Sequence, residues 1–184
     1  WNEGAQILSD QNHTYGLSRS QPTLLTVPRM GNDGPELEYH LWYRGESSNT
    51  GLAAGGQPRY AIMHAMSRDG VTWEGRNADR VVMMGSDEHR WRREVGDPSI
   101  VVDDLGDLHM VFVGTDTETG LRHLGLAVSS NGVDWAASDE PIRFENEAMM
   151  EFDRDGVASP SLTRRGDILH LWFTGINGSR TTIG

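Results

Sequence analysis

The chain contains no cysteine, no lysine and no long apolar run, and each absence narrows what the protein can be. Without cysteine, neither a disulfide framework nor a thiolate-bound metal site can form. No apolar stretch approaches the roughly 20 residues that a transmembrane helix needs. All 16 basic residues are arginine, against 27 acidic residues, and the net charge of −11 argues against nucleic-acid and membrane partners.

The composition indicates a globular, turn-rich domain. The 184 residues are long enough to bury one sizeable core, and they include 22 glycines and 6 tryptophans. No motif for a cofactor or a metal ion stands out, so the sequence predicts neither. The chain opens on Trp1 with no charged-then-apolar leader. The compartment therefore stays open: either cytoplasmic, or secreted with a signal peptide removed.

A seven-residue motif occurs twice. "SRDGVTW" spans Ser67–Trp73, and "SSNGVDW" spans Ser129–Trp135, 62 residues later. Repetition at a fixed period of this length is typical of a repeat architecture. The Asp-Gly and Asn-Gly pairs inside the motifs are expected to form tight type I′ hairpins, which need positive φ angles.

Each repeat contains the same four parts in the same order. They are a proline followed by an apolar run, an aromatic strand ending in glycine, a third strand leading into the seven-residue motif, and a short strand after its tryptophan. Apolar and polar residues alternate with period 2 in these runs, which predicts antiparallel strands. Four short strands in about 60 residues are typical of a propeller blade.

The sequence therefore predicts a single all-β, β-propeller-like domain over residues 1–184, with about three four-stranded blades. The blades are expected near 15–84, 91–144 and 152–184. Residues 1–10 resemble the end of a blade, so we expect them to complete the last blade of the same chain or of a partner. An open arc would expose apolar blade faces, so we expect a homodimer that uses residues 1–10 and 170–184.

Insertions, histidines and tryptophans give further expectations. Pro28–Glu38 lengthens one hairpin and Glu46–Arg59 lengthens the next connection, as surface insertions or functional loops. Structural roles are expected for five residues at repeated positions or after turns, and a sugar-stacking role is considered for two more tryptophans. The structural group is His40, His109, His170, Trp73 and Trp135, and the sugar-stacking pair is Trp42 and Trp91.

The order of a proline-headed strand ("DPSIVV"), an aromatic strand ending in glycine ("HLWYRG") and the hairpin "SRDGVTW" resembles the five-bladed propeller glycosidases. These are the arabinanase and xylosidase group, with the invertase and levansucrase group as relatives. The resemblance covers essentially the whole chain. It implies a glycoside hydrolase-like protein that acts on or binds an oligo- or polysaccharide at the axial end of its blades.

The resemblance also implies where a site would lie. Catalytic carboxylates of such glycosidases stand at the start of the innermost strands, and Asp97 in "GDPSIVV" matches as base or charge stabiliser. Gln21 and Ser159 hold the matching positions of the other repeats, as substrate-binding candidates. The family's acid would stand two residues before each proline, where this chain has Ser20, Gly96 and Ala158.

Loop residues nearby are the remaining candidates. Glu94, Glu151 and Asp155 are acid candidates, and Arg93 and Trp91 are substrate-binding candidates. A solvated charged rim explains the acidic loops equally well. Whether the chain is an enzyme stays open at this point. The alternatives are a non-catalytic sugar-binding or assembly module, or a truncated fragment of a larger glycosidase.

Overall fold

The computed structural model describes residues 18–31, 34–46, 60–74, 80–144 and 152–184. These residues form three antiparallel sheets that follow one another along the chain, and the described helix is a single 3-10 turn at Arg90–Arg92. The prediction of an all-β fold built from successive blades is confirmed. No helix in the described part of the chain is long and apolar enough to span a membrane.

Each sheet is one blade. The first contains β1 (Ser18–Gly31), β2 (Gly34–Glu46) and β3 (Tyr60–Ser67), and both β4 (Trp73–Glu74) and β5 (Arg80–Met84) pair with β3. The second contains β6 (Glu94–Val102), β7 (Leu108–Thr115), β8 (Arg122–Ser129) and β9 (Ala136–Ala137). The third contains β10 (Gly156–Arg165), β11 (Ile168–Asn177) and β12 (Arg180–Ile183). The first predicted insertion lengthens the β1–β2 hairpin, whereas residues 47–59 of the second lie outside the described residues.

The first strand of each blade begins earlier than the sequence indicates. β1, β6 and β10 each start four residues before their proline, so the proline lies inside the strand rather than at its head. Proline has no N–H group to donate to the ladder, and strands accommodate it at bulges. The pairing register shifts at this point in all three blades, between Ser20 and Thr23, Gly96 and Ser99, and Ala158 and Ser161.

Apolar side chains pack between successive blades. Trp42 of the first blade is fully buried with Phe112 of the second, and Val111 of the second blade is buried with Phe173 of the third. The Trp42 indole N–H also donates to the Gly132 carbonyl at 2.8 Å. The core therefore consists of interfaces between neighbouring blades, which fixes how their first strands converge.

The repeated motif is not the type I′ hairpin that the sequence predicts. Gly70 and Gly132 have φ of +71° and +73°, but the Asp and Asn before them do not have positive φ. Instead, Asp69 Oδ1 accepts N–H groups of Val71 and Thr72 at 2.8 and 2.6 Å, and Asn131 does the same in the second blade. The motif is therefore a wider loop held by side-chain caps.

The histidines and tryptophans at repeated positions have local contacts. His40 bonds Glu38 and His64, His109 bonds Asp103, and His170 is exposed. Among the described residues, no three acidic or histidine side chains gather in a way that could hold a metal ion. The Trp135 indole donates to the Gly132 carbonyl at 3.0 Å, which confirms its expected role in packing the hairpin.

Candidate active site at the blade axis

The three residues that precede the prolines come together. Gln21, Asp97 and Ser159, each with its following proline, line one pocket of about 190 Å³. β1 and β10 both pack against β6, so the central strand of this group carries Asp97. The resemblance implies that these positions stand at the start of the innermost strands, and the structure brings all three to one pocket. Their role in binding or catalysis is a separate matter.

Hydrogen bonds connect these positions from blade to blade. The Asp97 backbone N–H donates to Gln21 Oε1 at 3.3 Å, and the Ser159 backbone N–H donates to Asp97 Oδ2 at 3.2 Å. In each step, a side-chain oxygen of one blade accepts the backbone N–H group of the next blade. The Asp97 carboxylate therefore joins the second blade to the third, whatever else it does.

Asp97 is a buried carboxylate with one satisfied oxygen. The residue is 4% exposed, and its Oδ2 also accepts a charge-assisted bond from Arg122 Nη2 at 2.8 Å. Its Oδ1 is buried, and no group among the described residues donates a hydrogen bond to it. An unsatisfied buried oxygen costs about 1–3 kcal/mol, more for a charged group, so such an atom calls for an explanation.

The backbone at all three positions is in the left-handed region. Gln21, Asp97 and Ser159 have φ of +55°, +49° and +48°, and no other described non-glycine residue has positive φ. A residue before proline favours extended backbone, so this conformation is doubly unfavourable. Strained backbone of about 1–3 kcal/mol per residue is characteristic of functional sites. Its recurrence at three equivalent positions ties the strain to the axial pocket.

Asp97 also lines a second pocket. It has a volume of about 220 Å³, and its polar lining is Arg44, Tyr60, Glu94, Asp97, Thr115 and Arg122. Arg44 crosses from the first blade, where its Nε donates to Ser20 Oγ at 3.2 Å and its guanidinium lies 4.5 Å from the centre of the Tyr60 ring. Two guanidinium groups and two carboxylates therefore face one small space.

Gly96 has a specific reason to be glycine. A Cβ atom at this position would lie 2.7 Å from the Arg44 Cδ. The arginine stem therefore occupies the space beside the position where the resemblance implies a catalytic acid. Any side chain at residue 96 would have to displace Arg44.

Two of the predicted substrate-binding residues lie away from the pockets. Arg93 pairs with Glu118 at 2.8 Å. The Trp91 ring stacks on Phe112 with 5.9 Å between ring centres, and its indole donates to the Asp139 carbonyl. A sugar-stacking role for Trp42 is wrong, because this side chain is fully buried between two blades. Trp91 packs within the second blade, so we leave it out of the proposed site.

The acid candidates that the structure describes differ in their position relative to the pockets that Asp97 lines. Glu94 lines the same pocket as Asp97. Asp155 instead directly precedes β10, and its carboxylate accepts the Gly178 N–H of the β11–β12 turn, which lowers its pKa. A general acid needs a raised pKa, so this environment does not favour that role for Asp155. Glu151 lies outside the described residues.

Sequence reasoning missed Arg44, Tyr60 and Arg122. One signal was present for Arg44: the aromatic strands read "HLWYRG", "HMVFVG" and "HLWFTG", so Arg44 stands where the other blades have Val113 and Thr174. A charged residue at an otherwise uncharged repeat position indicates a local role. Arg122 has no comparable signal, because its contact depends on how the second blade packs.

No family model matches the chain, and no curated protein matches it. Solved structures do match, and they include glycoside hydrolases and a related phosphorylase of β-propeller type. A family 117 glycoside hydrolase of the marine bacterium Zobellia galactanivorans has a TM-score of 0.70 at 19% identity, covering 97% of this chain and 55% of that chain.

A β-1,2-mannobiose phosphorylase of Listeria innocua matches with a TM-score of 0.62 at 18% identity, covering 91% of this chain and 43% of that chain. An endo-arabinase of Bacteroides thetaiotaomicron matches with a TM-score of 0.54 at 17% identity, covering 87% and 55%. The chain thus spans about half the length of these proteins. At such identities the likeness shows the fold, which is that of a β-propeller.

Proposed function

We propose that the chain is a carbohydrate-active β-propeller protein, glycoside hydrolase-like, that binds or cleaves an oligo- or polysaccharide at the axial end of its blades. The observation that carries the proposal is the Asp97 carboxylate, which is buried at the junction of two pockets with Oδ1 unsatisfied. Because the carboxylate lines both pockets, a sugar hydroxyl bound in either of them is a hydrogen-bond donor beside it. The likeness in fold to propeller glycosidases is consistent with a site at this place.

Roles for the carboxyl groups follow from the chemistry of glycoside cleavage. That reaction needs one carboxylate that stabilises positive charge or activates water, and one carboxylic acid that protonates the leaving oxygen. Asp97 suits the first role because its ion pair with Arg122 holds the carboxylate in a fixed position beside the pocket. Glu94 lines the same pocket and is the acid candidate. Gln21 and Ser159 are proposed to contact substrate from the neighbouring blades.

A second candidate function is sugar binding without cleavage, as a binding or assembly module. The observation that favours it is the occupation of the acid position of the resemblance, where Gly96 leaves room only for the Arg44 stem. The other two equivalent positions are Ser20 and Ala158. Both candidates predict a sugar at Asp97, and only the first predicts turnover. Both candidates keep these predictions if the chain is part of a larger glycosidase.

The test is a comparison of the wild type with Asp97→Asn on a panel of oligosaccharides and polysaccharides. Binding is measured by saturation-transfer NMR, and cleavage by the release of reducing ends. We expect the wild type to bind at least one glycan, and Asp97→Asn to lose that binding or about 10²–10⁴-fold of any turnover. Asp104→Asn is the matched control, because Asp104 pairs with Arg164 and lines neither of the two pockets described above.

Two results would reject the proposal. One is a wild type that binds no glycan of the panel although it is folded. The other is an Asp97→Asn variant that binds and turns over substrate as well as the wild type does.

A further inference from the structure

The second pocket contains an arginine that is held rigidly from three sides. Arg44 Nε donates to Ser20 Oγ, the guanidinium lies over the Tyr60 ring, and the stem passes 2.7 Å from where a Cβ of residue 96 would be. Holding a long side chain in one position costs conformational entropy, about 1.5–2 kcal/mol for arginine. The Ser20 bond uses one of its five N–H donors. A guanidinium fixed in this way is preorganised to recognise a planar anion.

The pocket has the size and the charge pattern of a site for one acidic sugar ring. Its volume of about 220 Å³ is below the roughly 300–1,000 Å³ of sites for drug-sized ligands. Arg122 is engaged by Asp97, so the pocket has a second guanidinium, that of Arg44, beside the proposed sugar-binding carboxylate. Arginine binds carboxylates with two parallel hydrogen bonds, which gives geometric selectivity as well as affinity.

We propose that this pocket takes a carboxylated sugar, a uronic acid residue of a glycan, whose carboxylate is bound by Arg44. The inference rests on the proposed function and specifies its substrate class. Asp97 would accept a hydroxyl group of the same ring. The overall charge of −11 repels an anionic glycan in general, so the affinity depends on this local arginine.

Glu94 lowers the affinity of the pocket for a uronate whenever its carboxyl group is ionised, because it then lines the pocket with a charge of the same sign as the ligand. Replacing it with the neutral, isosteric glutamine removes that repulsion. Glu94→Gln is therefore expected to raise the ratio of uronate affinity to neutral-sugar affinity above that of the wild type. A site that recognises neutral sugars would show no such difference.

The experiment is a calorimetric titration with matched pairs of oligosaccharides that differ only in a carboxylate: galacturonate with galactose, glucuronate with glucose, and mannuronate with mannose. We expect one uronate to bind at least about tenfold more tightly than its neutral partner. Arg44→Gln should reduce the uronate affinity to that of the neutral sugar, and Arg44→Lys should restore only part of it. Arg164→Gln, at the ion pair with Asp104, serves as the control.

The possible failures are distinguishable. If neutral sugars bind as tightly as uronates, or if Arg44→Gln and Arg44→Lys leave the preference intact, the uronate inference is wrong and the carbohydrate function stands. If no sugar of either kind binds to the folded wild type, the proposed function is wrong and the inference falls with it. Thermal melting of each variant shows whether a lost affinity reflects a lost fold.

Discussion

At the scale of single residues, the positions before the three prolines explain most about the site. The backbone at Gln21, Asp97 and Ser159 lies in the left-handed region, and hydrogen bonds connect Gln21 to Asp97 and Asp97 to Ser159. Aspartate tolerates this conformation better than most residues do. Asp97 therefore combines a structural link with a buried oxygen that no described group satisfies. This combination separates it from an ordinary turn residue.

Gly96→Ala tests the placement of Arg44. The added methyl group would meet the Arg44 Cδ, so we expect the variant to lose about 1–3 kcal/mol of unfolding free energy. In an Arg44→Ala background the same change should cost much less, because the obstacle is gone. Urea unfolding of the four variants of this cycle gives the coupling energy. A coupling energy below about 0.5 kcal/mol would show that the Arg44 side chain does not pack against residue 96.

At the scale of elements, the two copies of the seven-residue motif have the same backbone conformation but pack against different residues. In both, a serine hydroxyl accepts the glycine N–H, at 2.9 Å for Ser67 and 2.9 Å for Ser129. Gly132 packs under Trp42 of the preceding blade, where an added Cβ atom would lie 2.8 Å from the indole, whereas at Gly70 it would meet Tyr39 only at 3.5 Å. The second motif is therefore part of a blade interface.

Alanine substitution should separate the two motifs. Gly70→Ala is expected to cost about 1–2 kcal/mol, because its φ of +71° is unfavourable for a residue with a Cβ. Gly132→Ala should cost this amount and, in addition, about 1–3 kcal/mol for displacing Trp42. The measurement is the denaturant midpoint of each variant. Equal losses would mean that Trp42 does not pack against the second motif.

The first motif also predicts a pH dependence. Backbone N–H groups of Thr72 and Val71 lower the pKa of Asp69 below its ordinary value of 3.8. A lowered pKa in the folded state stabilises the fold above the unfolded value, and that contribution disappears as the pH falls through the folded value. Asn131 occupies the matching place, so Asp69→Asn should fold.

We therefore expect the wild type to melt at a higher temperature than Asp69→Asn at pH 7. The difference should begin to shrink below about pH 5, because Asp69 of the unfolded wild type then binds a proton while the folded state still resists protonation. Melting curves between about pH 7 and pH 3 measure it. A difference that stays constant with pH would show that the carboxylate charge does not contribute to these hydrogen bonds.

The sequence allowed the blades to be predicted, because alternation and the repeated turn depend on local residues. Strands β2, β7 and β11 contain the predicted aromatic strands. Gln21, Asp97 and Ser159 come together in one pocket, as the register of the repeat implies. The loop type was mispredicted, because side-chain caps replaced the second positive φ. Arg122 and Tyr60 could not be predicted, since their place in the pocket depends on packing between blades.

At the scale of the whole molecule, a comparison of equivalent residues in the three blades shows which blade face has no other described blade packed against it. Trp42 and Val111 occupy matching positions in the first two blades, where the next blade covers them to 0% and 2% exposure. Trp172 is the equivalent residue of the third blade and is 55% exposed, and Ile183 on the paired strand is 77% exposed. An exposed apolar patch on an otherwise interface-forming face is typical of an association surface.

The homodimer stays a prediction, and the uncovered face that carries Trp172 and Ile183 is its expected interface. It lies within residues 170–184 of the expected interface, whereas residues 1–10 lie outside the described residues. We expect sedimentation velocity to give twice the chain mass of 20.4 kDa at low micromolar concentration. Trp172→Ser should weaken association at least about tenfold, since buried tryptophans dominate interface energies.

Leu105→Ser is the control for the dimer, because Leu105 is 88% exposed in the turn between β6 and β7, away from the Trp172 face. It should leave the association unchanged. A wild type that sediments as a monomer at these concentrations would contradict the prediction, and so would equal effects of the two serine variants.

A crystal structure of the chain with an oligosaccharide from the glycan screen would show directly whether Asp97 lies in a sugar site. We expect a sugar ring in one of the two pockets that Asp97 lines, with a hydroxyl group within hydrogen-bond distance of its carboxylate. A sugar bound elsewhere, for example stacked on Trp172, with Asp97 Oδ1 still without a partner, would contradict the proposed site.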